Sequence, residues 1–369
     1  MIVVIGRGLI GSAAAKYLAA AGNPVTLIGP PEGHTPGSHW DEGRITRRNA
    51  TDPFWSDVSS ASIARYAEIE AASGITFFSE TGAMMAGPKD STFFHNTLAT
   101  RDRIADAGDH LTRADLATRF PFFAFGDTIE AVYEPQGAGH ISPRKLVEAQ
   151  TKLAAAAGAR LVPEPALSLS AGKGEVTITT PSGNVTADQV LVAVGGLTGH
   201  LLPETPPLSV YARTVAFFEV SSGEVERLTT MPSLVYRDEA GADPYILPPI
   251  RYPDGKIYLK IGGDPVDKPL STAEEIHAWY RTQGSAEIRD HLEASIRRLM
   301  PTLAIRSTHS AACMTTFSQT GYPIITRLTD RITVATAGNG AGAKCSDELG
   351  RLGAAALLNA QEPQLAKTG

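Results

Sequence analysis

Four successive apolar residues, Ile2 to Ile5, predict a strand buried on both faces. The run stops at Gly6-Arg7-Gly8-Leu9-Ile10-Gly11, after which an alanine-rich segment predicts a helix to about Ala21. Gly22-Asn23-Pro24 ends that helix, and Val25 to Ile28 predict a second buried strand. Strand, glycine-rich turn, helix and strand in this order form a unit of the dinucleotide-binding type. Further on, Ser56 to Ala72 reads as helical, and the alternation and glycines of "GITFFSETGAMMAGPKD" suggest a hairpin. "GHISPRKLVEAQTKLAAAAGARLV" reads as a proline-started helix feeding a strand, and "ADQVLVAVGGL" as a buried strand ending at Gly195 and Gly196.

Between about Ser209 and Arg306 the pattern changes. "TVAFFEV", "SLVYR", "YILPPI" and "KIYLKIGG" read as half-buried antiparallel strands, followed by one helix from Thr272 to Met300. The C-terminal region returns to the first texture, with "RITVATAG" as a strand and Ser346 to Asn359 as a helix. The fold class is therefore α/β with an α+β substrate domain: a Rossmann-like nucleotide-binding domain in discontinuous segments, interrupted twice by an antiparallel-sheet insertion. Residues 1–80, 141–208 and 306–369 are assigned to the first domain, and 81–140 and 209–305 to the second.

Composition narrows the partners. A chain of 369 residues is too long for one small core and long enough to enclose a cofactor. A net charge of -6 without a basic stripe argues against a nucleic-acid surface. The two cysteines, Cys313 and Cys345, are too few for a disulfide framework and fit a reducing compartment. No apolar run approaches the roughly 20 residues that span a bilayer, and "MIVVIGRGLIG" lacks the basic leader of a signal peptide. The expectation is a cytoplasmic protein without membrane attachment, monomeric or a small homo-oligomer.

In the first turn, backbone N–H groups and the positive helix end suit a pyrophosphate. The dinucleotide pattern also asks for an acid at the end of the second strand, about 20 residues on, to bind a ribose hydroxyl. Gly29 stands there. Either Glu32 reaches back, or backbone and water hold the ribose. Downstream, "GSHWDEGRITRRN" gathers Arg44, Arg47 and Arg48 beside Ser38, His39 and Trp40, and near the C-terminus "ATAGNGAGAKCSDELGRLG" places Gly338, Gly340 and Gly342 before Lys344.

These motifs together resemble the FAD-dependent amine oxidoreductases of the D-amino-acid oxidase superfamily, most nearly the monomeric sarcosine oxidase and N-methyltryptophan oxidase branch. The likeness runs through nearly the whole chain and includes "TGAMMAGPKD", "YEPQGAGHISPRKL", "VLVAVGGLTGHLLP" and "CMTTFSQTGYPII". It implies FAD as cofactor, with one glycine turn at the pyrophosphate and the other placing a helix N-terminus beneath the flavin. Glycine lets backbone approach a cofactor closely, and the helix dipole can stabilise negative charge on the reduced ring.

Matched residue by residue, the resemblance implies that Arg47 and Lys344 grip a substrate carboxylate, a task suited to an arginine fork and a lysine point charge. The alternatives are that Arg47 pairs with Asp41 or Glu42 and that Lys344 faces solvent. Arg44 matches the arginine lying against the flavin, or else serves in phosphate contact or ion pairing. Lys260 matches the lysine that promotes reaction with oxygen, since a fixed cation stabilises the superoxide formed by the first electron; otherwise it points outward from its strand. Cys313 matches the cysteine bonded to the flavin, while Cys345 reads as packing. Two departures bear on substrate. Asp264 stands where the family has a histidine, and Thr315 where it has a tyrosine, so the pocket opens and Asp264 can receive a second cationic group, unless it only begins the turn "GDPVD".

The implied reaction is oxidation of a carboxylate-bearing primary or secondary amine. Hydride passes to FAD, the imine is hydrolysed, and O2 regenerates the flavin with release of H2O2. The alternatives are a dehydrogenase passing electrons to a quinone or protein, and a non-catalytic flavin-carrying subunit.

Overall fold

The computed structural model describes residues 1–31, 37–104, 106 and 108–358. Ile2–Ile5 and Val25–Ile28 are buried at every position, because they lie side by side inside a six-stranded sheet with helices on its faces. The strand order is Ile324–Arg327, Ile332–Thr336, Gln189–Val192, Ile2–Ile5, Val25–Ile28, Arg160–Val162. All neighbours pair in parallel except the first two. The N- and C-terminal parts of the described chain thus share one sheet.

The helices Leu9–Ala20 and Gly342–Leu358 cross closely on this sheet. A Cβ at Gly350 would lie 2.4 Å from the Ala13 Cβ, so glycine permits the crossing. Buried Asp347 on the C-terminal helix accepts from Lys16 (2.5 Å), Tyr17 (2.7 Å) and Arg65 (2.6 Å), tying both glycine-turn helices to the helical layer between them.

A second, nine-stranded sheet runs Lys268–Pro269, Leu208–Glu219, Ile257–Gly262, Tyr245–Arg251, Ser233–Tyr236, Ala83–Pro88, Ile129–Glu134, Asp109–Leu111, with Ser307–Ser318 pairing along the whole of Leu208–Glu219. Strand alternation gives it two distinct faces. Ala216, Phe218, Leu259 and Ile261 pack with Leu292, Ile296 and Leu299 of the helix Ala286–Leu299. Burying each such large apolar side chain is worth about 2 kcal/mol. The other face carries Val215, Phe217, Lys260 and Cys313, and Trp40 from the glycine-rich N-terminal region packs against it.

Several expectations need correction. The "GITFFSETGAMMAGPKD" segment is not a hairpin: Phe78–Ser79 pairs with Gly139–Ile141, while Ala83–Pro88 enters the nine-stranded sheet beside Ile129–Glu134. Gly82 has φ of +75° and redirects the chain between the two sheets. The helix expected from Thr272 to Met300 is two, Ala273–Tyr280 and Ala286–Leu299, separated at Gly284 and restarted by the Ser285 cap. Likewise Ser56 to Ala72 divides into Pro53–Ile63 and Tyr66–Ser73. Ser307–Ser318 lies beyond the 305/306 boundary, yet its hydrogen bonds join it to the nine-stranded sheet. Among the described residues no helix is long and apolar enough to cross a membrane.

Candidate active site

The first glycine turn is shaped by close approach. A Cβ at Gly6, whose φ is +109°, would sit 2.3 Å from the Ala193 carbonyl oxygen, and one at Gly11 would sit 1.8 Å from the Gly6 oxygen. Gly8 differs, since a Cβ there would meet only His39 Nδ1 at 3.7 Å. Gly6 and Gly11 therefore hold the turn together, whereas Gly8 leaves space at the helix start. No side chain caps the helix Leu9–Ala20, so its N-terminus remains open to an anion. Gly29 is explained by Arg7: a Cβ at Gly29 would lie 2.5 Å from the Arg7 Cβ. Steric room for that residue displaces the usual acid. Glu32, the other expected ribose partner, lies outside the described residues.

The second glycine turn is built differently. Ala337 and Asn339 both have positive φ, of 63° and 47°. Asn339 is fixed to the strand Ser307–Ser318, its N–H donating to the Thr316 carbonyl (3.0 Å) and its Oδ1 accepting from the Ser318 N–H (3.0 Å). Gly338, Gly340 and Gly342 thereby lead into the C-terminal helix beside the strand that carries Cys313. The turn at Gly195 and Gly196 joins the same region. Thr198 and Thr336 hydroxyls donate to the Gly195 carbonyl (2.7 and 3.1 Å), and Gly196 faces Met314 and Thr316.

Between these turns lies a buried charge cluster. Asp41 accepts from the Lys260 ammonium, the Arg44 guanidinium, the Tyr252 hydroxyl (2.8 Å) and the Glu42 N–H (2.7 Å). Lys260 also donates to the Gly43 carbonyl (2.7 Å), and Arg44 Nη2 lies 3.5 Å from the Cys313 sulfur. Lys260 is fully buried, so it does not point out from its strand. Burial, and then the neighbouring Arg44 charge, bring its pKa down to about 8 against the pull of Asp41. Burial opposes the charge on Asp41 too, but Lys260 and Arg44 outweigh it and hold that carboxyl at about 2. Arg44 is thus ion-paired on the face it shares with Cys313.

Arg47 and Lys344 form a second group. The Arg47 Nη1 donates to the Asn49 carbonyl (2.8 Å), and its Nε is buried without a partner. Asp41 and Glu42 are engaged elsewhere, Glu42 by Arg144 and the Ser142 hydroxyl (3.0 Å), so neither pairs with Arg47. Lys344 is 6% exposed and does not face solvent; its ammonium has no hydrogen-bond partner among the described residues. Burial lowers its pKa to about 8, with Arg47 adding repulsion while Cys345 and Glu134 act the other way. The two cations are held near each other by Tyr66, whose hydroxyl donates to the Lys344 carbonyl (3.0 Å) and lies 3.3 Å from the Thr46 hydroxyl. Glu134 accepts from the Arg48 and Asn49 N–H groups (3.0 and 2.7 Å), fixing the loop after Arg47.

The remaining expected residues divide. Thr315 lies two residues beyond Cys313, on the same sheet face, and its hydroxyl is buried and unpartnered. Asp264 is engaged by the backbone, both oxygens accepting from the Thr214 N–H (3.3 and 3.0 Å), and it lines a groove with His291 and Ser295 of the helix covering the opposite face. That is the turn role, and it does not join Asp264 to Arg47 and Lys344. Burial raises its pKa to about 6. His39 is driven down to about 4 by burial and by Arg44 and Arg7, so it stays neutral beside the first turn. Ser38 precedes it in a turn. Cys345 is fully buried.

Sequence reasoning missed Asp41 as the hub, together with Tyr252 and Tyr280, and named Trp40 without giving it a role. The Trp40 indole N–H and the Tyr280 hydroxyl are buried without partners. Asp41 was legible as an acid set among arginines and as a possible partner of Arg47, but nothing in the spacing joined it to a lysine more than 200 residues away.

A mainly parallel sheet carrying two glycine turns faces a mainly antiparallel one, whose expected all-antiparallel pairing is broken where Ser233–Tyr236 runs parallel to Ala83–Pro88, and buried cations without a carboxylate ion pair lie nearby; this arrangement fits a dinucleotide-cofactor oxidoreductase. The chain belongs to the FAD dependent oxidoreductase family, DAO, whose sequence profile matches residues 1–356. It is 27% identical over 363 residues to the monomeric sarcosine oxidase of Streptomyces avermitilis, covering 95% of this chain and 91% of that protein. It is 28% identical over 253 residues to the monomeric sarcosine oxidase of Bacillus sp. (strain NS-129), a match covering 65% of this chain and 64% of that protein's length. In fold it is similar to NikD, an unusual amino acid oxidase essential for nikkomycin biosynthesis, with a TM-score of 0.80 at 21% identity over 98% of this chain and 94% of that one.

The residues present fit FAD. Gly8 and the uncapped helix start leave room and donors for a pyrophosphate, and the Trp40 indole N–H and the Thr315 hydroxyl, on the sheet face that carries Cys313, are buried polar groups without partners that a polar ring would satisfy.

Proposed function

We propose that the protein is an FAD-dependent oxidase of a primary or secondary amine that carries a carboxylate, an N-methyl or related amino acid. The observation that carries this reading is the buried pair Arg47 and Lys344, two cations without a carboxylate partner beside the cofactor turns. Glu134 acts on both from a distance, but its oxygens are taken by the Arg48 and Asn49 N–H groups, so the desolvated pair can still draw in a further anion.

FAD held here would supply a two-electron acceptor for the hydride on the carbon next to nitrogen and a route for those electrons to O2, so the products would be an imine, which water hydrolyses, and H2O2. Gly6, Gly8, Leu9, Ile10, Gly11, Ser38 and His39 would hold its dinucleotide half, and Gly195, Gly196, Arg44, Cys313, Gly338, Gly340 and Gly342 would surround the ring. Arg47 and Lys344 fix the substrate carboxylate and thereby orient the C–H bond. The low polarity of the interior favours a neutral amine over its ammonium form, so no side-chain base is needed to release the nitrogen lone pair. Lys260 supplies a fixed positive charge where negative charge develops on oxygen. The loss of bulk at Thr315 leaves room for a substituent larger than that of sarcosine.

The test is an anaerobic flavin-bleaching screen across N-methyl amino acids, D-amino acids, cyclic imino acids and amines without a carboxylate. Bleaching by carboxylate-bearing amines, followed by recovery with peroxide on admitting air, is expected. Bleaching by carboxylate-free amines alone would reject the reading; good dye reduction with poor oxygen uptake would favour a dehydrogenase.

A further inference from the structure

Lys260 stands where desolvation and a neighbouring guanidinium both favour loss of its proton, yet its assigned work requires the charge. Its ammonium has two acceptors among the described residues, the Asp41 carboxylate and the Gly43 carbonyl. Only the first is charged. Asp41 is itself sealed, 1% exposed, and oriented by Tyr252 and by the Glu42 N–H, so its position does not depend on Lys260. The remaining groups that act on the ammonium are Arg44, which repels it, Cys313, His140, held neutral by burial and by Lys260 itself, and the Tyr245 ring, whose centroid lies 5.8 Å from Nζ. None of them replaces a carboxylate at neutral pH.

We propose that Asp41 is the positioning residue of the oxygen reaction: it keeps Lys260 protonated and fixed against Arg44, so that the pH range of flavin reoxidation is set by Asp41. This rests on the functional reading above, in which Lys260 serves the oxygen step. Removing the carboxylate leaves the summed charge of the cluster unchanged if Lys260 also becomes neutral, which is the path of least desolvation cost. Burial and Arg44 favour that outcome, since together they already hold Lys260 near 8 with Asp41 in place.

The experiment uses the FAD-loaded protein. The Lys260 Nζ resonance is followed by 15N NMR across pH in the oxidised, resting state, assigned by its absence in Lys260→Met, and reoxidation of the reduced protein by O2 is followed by stopped flow over the same range. In Asp41→Asn the Lys260 midpoint is expected to fall by at least about one pH unit. The reoxidation profile should move down with it, slowing the step about fivefold at pH 8, while Asp41→Glu restores both. An Nζ midpoint unmoved in Asp41→Asn overturns the proposal whatever the kinetics. A midpoint that falls while the reoxidation profile stays in place also overturns it, and reduction by substrate then shows separately whether the amine oxidase reading stands. If Asp41→Asn does not fold, Tyr252→Phe removes one donor from Asp41 and strengthens its hold on Lys260. Both midpoints should then rise together, and no movement of either overturns the proposal.

Discussion

Lys260 donates a hydrogen bond to the carbonyl of Gly43 at 2.7 Å, joining the middle of the nine-stranded sheet to the loop that follows the first dinucleotide unit. This contact places a buried cation between the two sheets. Lys260→Met is expected to slow reoxidation by O2 roughly 100-fold or more, with anaerobic reduction by substrate changed only a few-fold. Stopped-flow measurement of the two half-reactions separates these, and equal losses in both would remove Lys260 from the oxygen step.

Arg47 and Lys344 predict selective loss of carboxylate recognition. Arg47→Ala should weaken a carboxylate inhibitor about 10- to 100-fold, the range for a charge-assisted hydrogen bond, and leave a neutral analogue unchanged. Because Lys344 releases its proton near pH 8, inhibitor binding should weaken as pH rises through that value. Equal weakening of charged and neutral ligands would reject the clamp.

Cys313 places its sulfur 3.5 Å from Arg44 on the sheet face against which Trp40 packs. A bond to an electron-poor ring is formed by a cysteine sulfur that reaches it. Acid precipitation should leave yellow colour in the pellet of the natural protein and release it to the supernatant in Cys313→Ser. Complete release from the natural protein would refute the tether.

Gly8 and Gly11 separate cofactor binding from folding. Gly8→Val meets only open space and the His39 ring, so the chain should fold and hold FAD at least about 10-fold more weakly through a longer approach to the pyrophosphate. Gly11→Ala drives a Cβ into the Gly6 carbonyl and should lower stability directly. Flavin-to-protein absorbance ratios and urea midpoints of both variants check the distinction.

His39 and His140 predict loss of stability in mild acid. Both are held at about 4 when folded, first by burial and then by Arg44 and Arg7 or by Lys260, against an ordinary value of 6.5. Between those values the unfolded chain binds more protons, so stability falls as pH drops through that window. From pH 7 to pH 5 the loss should be about 2 kcal/mol for each histidine. Urea unfolding of the apoprotein should show it, and the variant carrying His39→Gln and His140→Gln should lose less; an equal loss would mean that neither ring is held neutral.

Local chemistry made much of this protein readable along the chain. An unbroken apolar run such as Ile2–Ile5, short and bounded by a glycine turn, reads as an interior strand, so the parallel unit and both glycine turns were visible before any packing was known. Matching of motifs marked Arg47, Lys344, Lys260 and Cys313. Where backbone direction depended on one glycine, as at Gly82 and Gly284, local pattern ran two elements together, because apolar periodicity does not report a change of direction.

Which charge meets which was settled by packing. Asp41, Glu42, Arg44 and Arg47 lie within seven consecutive positions, and every pairing among them was open on paper. The fold sends Glu42 to Arg144, gives Asp41 to both Arg44 and Lys260, and leaves Arg47 with Lys344. Electrostatic energy in a buried site depends on distance across the chain rather than along it, and those distances exist only once the two sheets have packed.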